Sequence, residues 1–293
     1  PYNILVKHIL RKENVNPDDI LLNPDEKKTI TIYEKTRILY TSELTTYVCL
    51  DFEYSTMYYG YLPEYIIIKI NNHVLEYPEH KLWFIQNQLR LSVKHFHEEY
   101  PEQIFITKYL TGNEKVLELG ANVGRTSLII GHILNKCNNS NFVALEPAKE
   151  TYDKLVIHKN MNNLNFYAEN FALSKRKLLQ RNWDTIISDI PIQDWDNVNT
   201  INFNELYDKY RIKFDTLVID CEGAFFQILL DMPDLLLNIK LVIMENDYSE
   251  LWKKQCVDHI LKVNGFKRID SMPLGYNIEW VVCKDNFYEV WRK

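Results

Sequence analysis

A chain of 293 residues, 46% of them hydrophobic and 25% charged, is long enough to bury a sizeable core in one large domain or in two unequal ones. Its formal net charge of -6 argues against a protein whose main partner is a long nucleic acid, because polyphosphates demand a basic surface. No apolar run reaches the ~18 residues of a membrane span and no secretory succession opens the chain, so no membrane partner is expected.

The five cysteines, Cys49, Cys137, Cys221, Cys256 and Cys283, are scattered and lack any C-x-x-C pair, which predicts reduced thiols and a cytoplasmic setting. The first residue is Pro1 rather than methionine, from which further domains upstream are expected. Abundant Asn, Lys, Ile and Tyr match AT-rich coding such as that of a large DNA virus, which would make the setting a host cytoplasm.

Residues 1–100 read as a β-rich accessory region that covers or selects an acceptor. Its strand-like runs are KTITIYE from Lys28, ELTTYVCLDF from Glu43 and EYIIIKINNHVLEY from Glu64, with Asn71 and Asn72 as a hairpin turn. The tyrosine-rich stretch from Tyr54 to Tyr65 suits either stacking on a sugar ring or ordinary strand packing. His95 and His97 suit a metal or, more simply, a charged surface.

From 101 to 293 short apolar strands alternate with helical stretches, the signature of βαβ units around a parallel sheet. In chain order these are a helix from Glu102 to Leu110, a strand from Lys115 to Leu119 and a helix from about Arg125. A strand from Phe142 to Glu146, a helix from Lys149 to Met161 and a strand from Leu164 to Ala168 follow. FDTLVID from Phe214 and KLVIME from Lys240 are buried strands ending in carboxylates, each followed by a helix. GFKRID from Gly265, IEWVVCKD from Ile278 and FYEVWRK from Phe287 read as closing strands with an antiparallel edge.

The sharpest local signal is VLELGANVG, Val116 to Gly124, a strand that stops at glycines and feeds a helix. Gly120 and Gly124 permit a tight turn and a ligand's approach to bare backbone. Asn122 and Arg125 occupy the later glycine positions of a dinucleotide fingerprint, so the turn is not shaped for a pyrophosphate. Glu118, just before the glycines, suits an ammonium and points to S-adenosylmethionine.

Roughly twenty residues on, Glu146 closes the second strand, where a carboxylate accepts ribose hydroxyl bonds. In AENFALS from Ala168, Asn170 offers an amide to adenine and Phe171 its backbone or ring. Each of these residues also has a plain structural reading as a turn, a strand-end carboxylate or a core phenylalanine. In LVIDCEGAFFQILL from Leu217, Asp220 and Glu222 can act as general base, divalent-cation ligands or a helix N-terminal charge pair. Glu245, with Asn246 and Asp247, emerges at the same sheet edge.

In order and spacing, these segments resemble the FkbM-type methyltransferases: VLELGANVGRTSL, ALEPAKETYDKL, ENFALS, FDTLVIDCEGAFFQILL, VIMEN and FYEVW. The resemblance implies a class I methyltransferase fold, a Rossmann-like and mostly parallel seven-stranded sheet, and O-methylation of a sugar or glycan. It implies a cofactor site at Glu118, Gly120, Ala121, Asn122, Gly124, Glu146, Pro147, Asn170, Phe171 and Asp220. Asp220 is the expected general base, with Glu222 and Glu245 orienting the acceptor or completing a divalent-cation site. The family pattern has a lysine two residues before the aspartate and a glutamate shortly after the glycine; Val218 and Phe225 stand there in this chain. Two alternatives follow: an RNA ribose 2'-O-methyltransferase, disfavoured by Val218 and the acidic charge, and a catalytically silent cofactor-binding module, favoured by Val218 and Phe225.

Overall fold

The computed structural model describes residues 40–42, 45–47, 67–70, 73–76, 78–92, 96–274 and 281–293. KTITIYE, the stretch from Tyr54 to Tyr65, His95 and the side chain of His97 lie outside the described residues. The chain divides into two compact units, Pro1–Phe84 and Ile85–Lys293.

In the first unit β1 (Tyr40–Ser42) pairs antiparallel with β2 (Thr45–Tyr47), and β3 (Ile67–Ile70) with β4 (His73–Glu76). Ile70 faces His73, and Asn71 and Asn72, read from the sequence as a hairpin turn, lie outside the described residues. Helix α1 (Pro78–Gln88) follows in the chain.

The second unit is built on one sheet. Its elements are α2 (Tyr100–Tyr109), β5 (Val116–Leu119), α3 (Arg125–Lys136), β6 (Phe142–Leu145), α4 (Lys149–Met161) and β7 (Tyr167–Glu169). After β8 (Ala172–Leu173), β9 (Leu178–Arg181), β10 (Asp184–Ile187), β11 (Asp196–Val198) and β12 (Thr200–Ile201) comes α5 (Phe203–Tyr210). The chain ends with β13 (Thr216–Ile219), α6 (Phe225–Asp231), β14 (Leu241–Glu245), α7 (Leu251–Val263), β15 (Lys267–Met272) and β16 (Tyr288–Arg292).

Seven strands hydrogen-bond in the order β15-β16-β14-β13-β5-β6-β7. All run parallel except β16, which is antiparallel to both β14 and β15. The first strand of the sheet is central, two successors build outward on one side, and the later strands build on the other. That Rossmann-like order with one reversed strand is the class I methyltransferase fold.

The central strands are apolar on both faces because helices cover both: β5, β6 and β13 are buried at every residue. Leu117, Leu119, Val143, Leu145, Leu217, Ile219, Val242 and Met244 form the sheet's share of a core that Leu229, Leu261 and Trp291 complete. Each such side chain contributes about 1.5–3 kcal/mol of burial. The order reverses between β5 and β13, and a crevice opens beyond their carboxyl ends at that switch point, where ligands bind in open α/β sheets.

Two expected strands change. The third begins at Tyr167 rather than Leu164, since the Leu164 N–H closes the end of α4 by donating to the Lys159 carbonyl at 3.2 Å. In IEWVVCKD the described part is not a strand: Val282 N–H donates to the Tyr248 carbonyl at 3.2 Å and Lys284–Asn286 form a 3-10 turn. Among the described residues the antiparallel edge is supplied by β15 and β16. Cys137, Cys221, Cys256 and Cys283 are free thiols, and among the described residues no helix is long and apolar enough to cross a membrane.

Candidate active site

At the end of β5 the chain turns on Gly120, with φ +82, and its N–H and that of Ala121 both donate to the Leu145 carbonyl at 3.0 Å. A β-carbon on Gly120 would lie 1.5 Å from the Asp220 carbonyl oxygen, so only glycine lets β5 and β13 end side by side here. Asn122 is left-handed at φ 49, a conformation its residue type tolerates, and Gly124 at φ +93 leads into α3. The buried His158 supports this turn through Nδ1, 2.7 Å from the Val123 carbonyl, while Nε2 meets Ser92 Oγ at 2.6 Å.

The first N–H groups of α3 are where a Rossmann protein holds a pyrophosphate. Here Glu99 takes that place. Its Oε2 accepts the Thr126 N–H at 3.0 Å, and Arg125 pairs with Glu98 at 2.6 Å and Glu99 at 3.5 Å. A carboxylate that already complements the helix dipole leaves no seat for a second anion.

Glu146 is 4% exposed and binds the turn from the other side: Oε2 accepts the Asn122 N–H and Oε1 the Ala148 N–H, both at 2.8 Å. Burial pushes its carboxyl up to about 7, against the opposing pull of those two bonds. Asn170 spends its amide N–H groups on the carbonyls of Glu146 at 2.9 Å and Pro147 at 2.8 Å, which fixes the backbone beside the carboxylate.

A cavity of about 190 Å³ opens here. Gly120, Asn122, Glu146, Pro147, Phe171, Asp220 and Glu222 all line it, so the structure brings together most of the residues singled out from the sequence. Asn170 lines the neighbouring groove, of about 630 Å³, which shares Pro147, Gln180 and Trp183 with it. Ala121 is 1% exposed and Gly124 caps α3, so both shape the turn through backbone. The carboxylate of Glu118, 2% exposed, turns back onto Ser127 Oγ at 2.5 Å. Burial pushes Glu118 up to about 8.

The far wall was not read from the sequence. The hairpin β9–β10, with β11 on its other side, puts Leu178, Gln180, Trp183 and Thr185 over the cavity. Its signal was present: LLQR and DTII flank Asn182, at φ 54, and Trp183, a two-residue connection of hairpin type.

Beyond β13 the backbone bends through Glu222 at φ 51 and Gly223 at φ +74, where a β-carbon on the glycine would meet the Asp247 carbonyl at 2.7 Å. The left-handed conformation at Glu222 costs about 1 kcal/mol. It aims Glu222 at both the cavity and a third groove, of about 290 Å³, lined by Phe226, Thr185 and Lys253. Burial, then Asp247 and Asp184, push Glu222 up to about 7.

Asp220, Glu245 and a residue missed in the sequence, Glu102 of α2, present carboxylate oxygens that all lie within 4.8 Å of one another. Burial first, and then the neighbouring acids, hold all three well above the usual carboxylate range. The sequence signal for Glu102 was faint: an acidic first-turn residue after Pro101, which the helix dipole alone would explain. Val218 and Phe225 are each 1% exposed, packed in the core where the resembled family has a lysine and a glutamate.

No protein-family model and no curated protein matches the chain. Among solved structures it is similar to the methyltransferase FkbM from Methylobacillus flagellatus KT, with a TM-score of 0.44 and 11% identity over 74% of this chain and 50% of that one. It is similar also to precorrin-6y C5,15-methyltransferase from Geobacter metallireducens GS-15, at 0.42 and 10% over 71% and 94%. A third is Streptococcus pneumoniae Sp1610 in complex with S-adenosyl-L-methionine, at 0.39 and 11% over 64% and 70%. At such scores none of them bears on what this chain does.

Proposed function

We propose that this chain transfers a methyl group from S-adenosylmethionine to a hydroxyl of a sugar or glycan. One observation carries the cofactor reading: Glu99 fills the α3 N-terminus while Gly120 and Asn122 line the cavity beside Glu146. That combination turns away a pyrophosphate and suits an uncharged ribose next to a cationic group. The residues fit the cofactor. Glu146 accepts ribose hydroxyls, Phe171, Leu145 and Trp183 enclose the adenine, and the acidic edge at Asp220 faces the positive end.

When bound, the cofactor supplies a methyl on a sulfonium, already a good leaving group. The chain's work is then positioning and proton removal. Asp220 lies at the cavity's edge for the second task. Its raised affinity for a proton is reversed by a cation placed beside it, so the group becomes a competent carboxylate once the positive end is seated.

The acceptor reading draws on Phe226 and Glu222, which together line the third groove beside the cavity. Aromatic faces and carboxylates are the pair of groups that hold sugar rings and their hydroxyls. The net charge of -6 speaks against an RNA acceptor. The buried Val218 and Phe225 favour a second reading, a silent cofactor-binding module.

Calorimetric titration with S-adenosylmethionine, then a methyl-transfer assay on candidate glycans, tests both. Asp220→Asn should lower turnover by about 100-fold or more with cofactor affinity within a few-fold. Binding without transfer to any acceptor supports the silent module, and no binding removes both readings.

A further inference from the structure

Glu102, Asp220 and Glu245 come from three separate elements. Glu102 is in the first turn of α2, which packs on β14; Asp220 directly follows β13; and Glu245 ends β14. The parallel register sets Ile219 beside Met244, so the next residue of each strand, Asp220 and Glu245, leaves the sheet edge together. Glu102 closes the group from the helix side.

Three facts set this cluster apart from an acidic patch on a surface. Glu102 is 1% exposed, and its Oε1 is buried without a hydrogen-bond partner. One oxygen from each of the three lies within 4.8 Å of the others. Among the described residues, no Lys, Arg or His pairs with any of them; the nearby cation Arg125 is engaged by Glu98 and Glu99. Like charges brought this close in a buried place repel strongly unless protons or a positive ion intervene. Glu245 is hydrogen-bonded to the neighbouring Asp247, and Glu102 Oε1 is still left without a partner.

We propose that Glu102, Asp220 and Glu245 bind one hard divalent cation, of the Mg²⁺, Mn²⁺ or Ca²⁺ class. The donor set is all oxygen, which selects these ions over zinc or copper. The three carboxylate oxygens lie within 4.8 Å of one another, so small side-chain rotations would bring one oxygen of each onto an ion at about 2.1–2.4 Å. Asp220 also lines the cavity, so the ion would sit at its edge, with open positions toward the cavity side. The assignment stands on the carboxylates and does not depend on methyl transfer.

The test is a titration of the purified full chain, stripped with EDTA and free of S-adenosylmethionine, with MgCl₂, MnCl₂ and CaCl₂. It is followed by calorimetry, by the Mn²⁺ electron-spin signal and by thermal denaturation. One saturable site and a cation-dependent rise in Tm are expected. Glu102→Gln and Glu245→Gln should each weaken binding by about tenfold or more and abolish the rise. Both variants relieve repulsion, so without cation each should melt no lower than the parent, and circular dichroism checks that each is folded. No saturable binding, or binding unchanged in both folded variants, overturns the assignment. So does a Glu102→Gln protein that loses S-adenosylmethionine affinity while the parent shows no cation effect, since the cluster would then hold the cofactor's ammonium. Because the titration omits the cofactor, the cation site and the methyl-transfer reading fail separately.

Discussion

The α-carbon of Gly120 faces the carbonyl of Asp220 so closely that an added β-carbon would stand 1.5 Å from that oxygen. The contact is between two backbones and has no flexible side chain to yield. Gly120→Ala should therefore separate the ends of β5 and β13, lower the melting temperature by many degrees and abolish cofactor binding. Gly124→Ala should be milder, because its β-carbon would meet only Leu155 Cδ1, at 2.6 Å, which can rotate away. What remains there is the left-handed backbone at φ +93, worth about 1 kcal/mol. Thermal denaturation of both variants checks the ranking; equal effects would contradict it.

Glu118 makes stability depend on pH. Its carboxyl is pushed up to about 8 from 4.5, so the folded chain holds a proton that the unfolded chain releases. The stabilisation from that proton is complete below the unfolded value and is lost as pH rises through about 8. Glu118→Gln removes the titration while keeping an oxygen for Ser127 Oγ. The parent should lose several degrees in Tm between pH 5 and 8.5 that the variant retains, in about the proportion of a few kcal/mol. Parallel curves for the two proteins would show that Glu118 does not titrate in this range.

Glu289 is fully buried and receives Lys254 at 2.9 Å, Arg268 at 2.6 Å and Trp291 Nε1 at 2.8 Å. These partners hold its carboxyl below the usual range despite burial. Glu289→Ala would leave Lys254, itself 5% exposed, with Asp258 as its remaining carboxylate partner and would leave the Trp291 indole N–H without its acceptor. A loss of about 1–3 kcal/mol is expected from urea denaturation. A loss under about 1 kcal/mol would mean that the network rearranges around the gap.

Trp183 sits at the tip of the β9–β10 hairpin, over the cavity and 58% exposed. Trp183→Ala should leave the melting temperature nearly unchanged and weaken S-adenosylmethionine by about tenfold. Calorimetry and thermal denaturation on one preparation separate the two effects. Unchanged affinity would remove the hairpin from the binding site.

Local chemistry wrote much of this molecule into the sequence. The apolar runs of β5, β6, β13 and β14 are buried on both faces and so read directly, and α4 spans the residues its sequence predicts. The glycine turn and Glu146 were legible because tight backbone and strand-end acids are constraints on a few consecutive residues. Signals of the same local kind exist for α5, where Asn202 and Glu205 form a capping box, and for the Asn182 hairpin, although neither element was read from the sequence.

Tertiary structure alone decided which groups meet. Glu99 seals α3 from 27 residues away, and Glu102 joins Asp220 and Glu245 across gaps in the chain that no periodicity encodes. It also decided direction: the Glu118 carboxylate turns to Ser127, and the Asn170 amide holds the Glu146 and Pro147 carbonyls. The physical reason is that secondary structure follows from interactions between near neighbours along the chain. Convergence of carboxylates is fixed by the packing of a helix on a sheet edge, and sequence spacing carries no record of that distance.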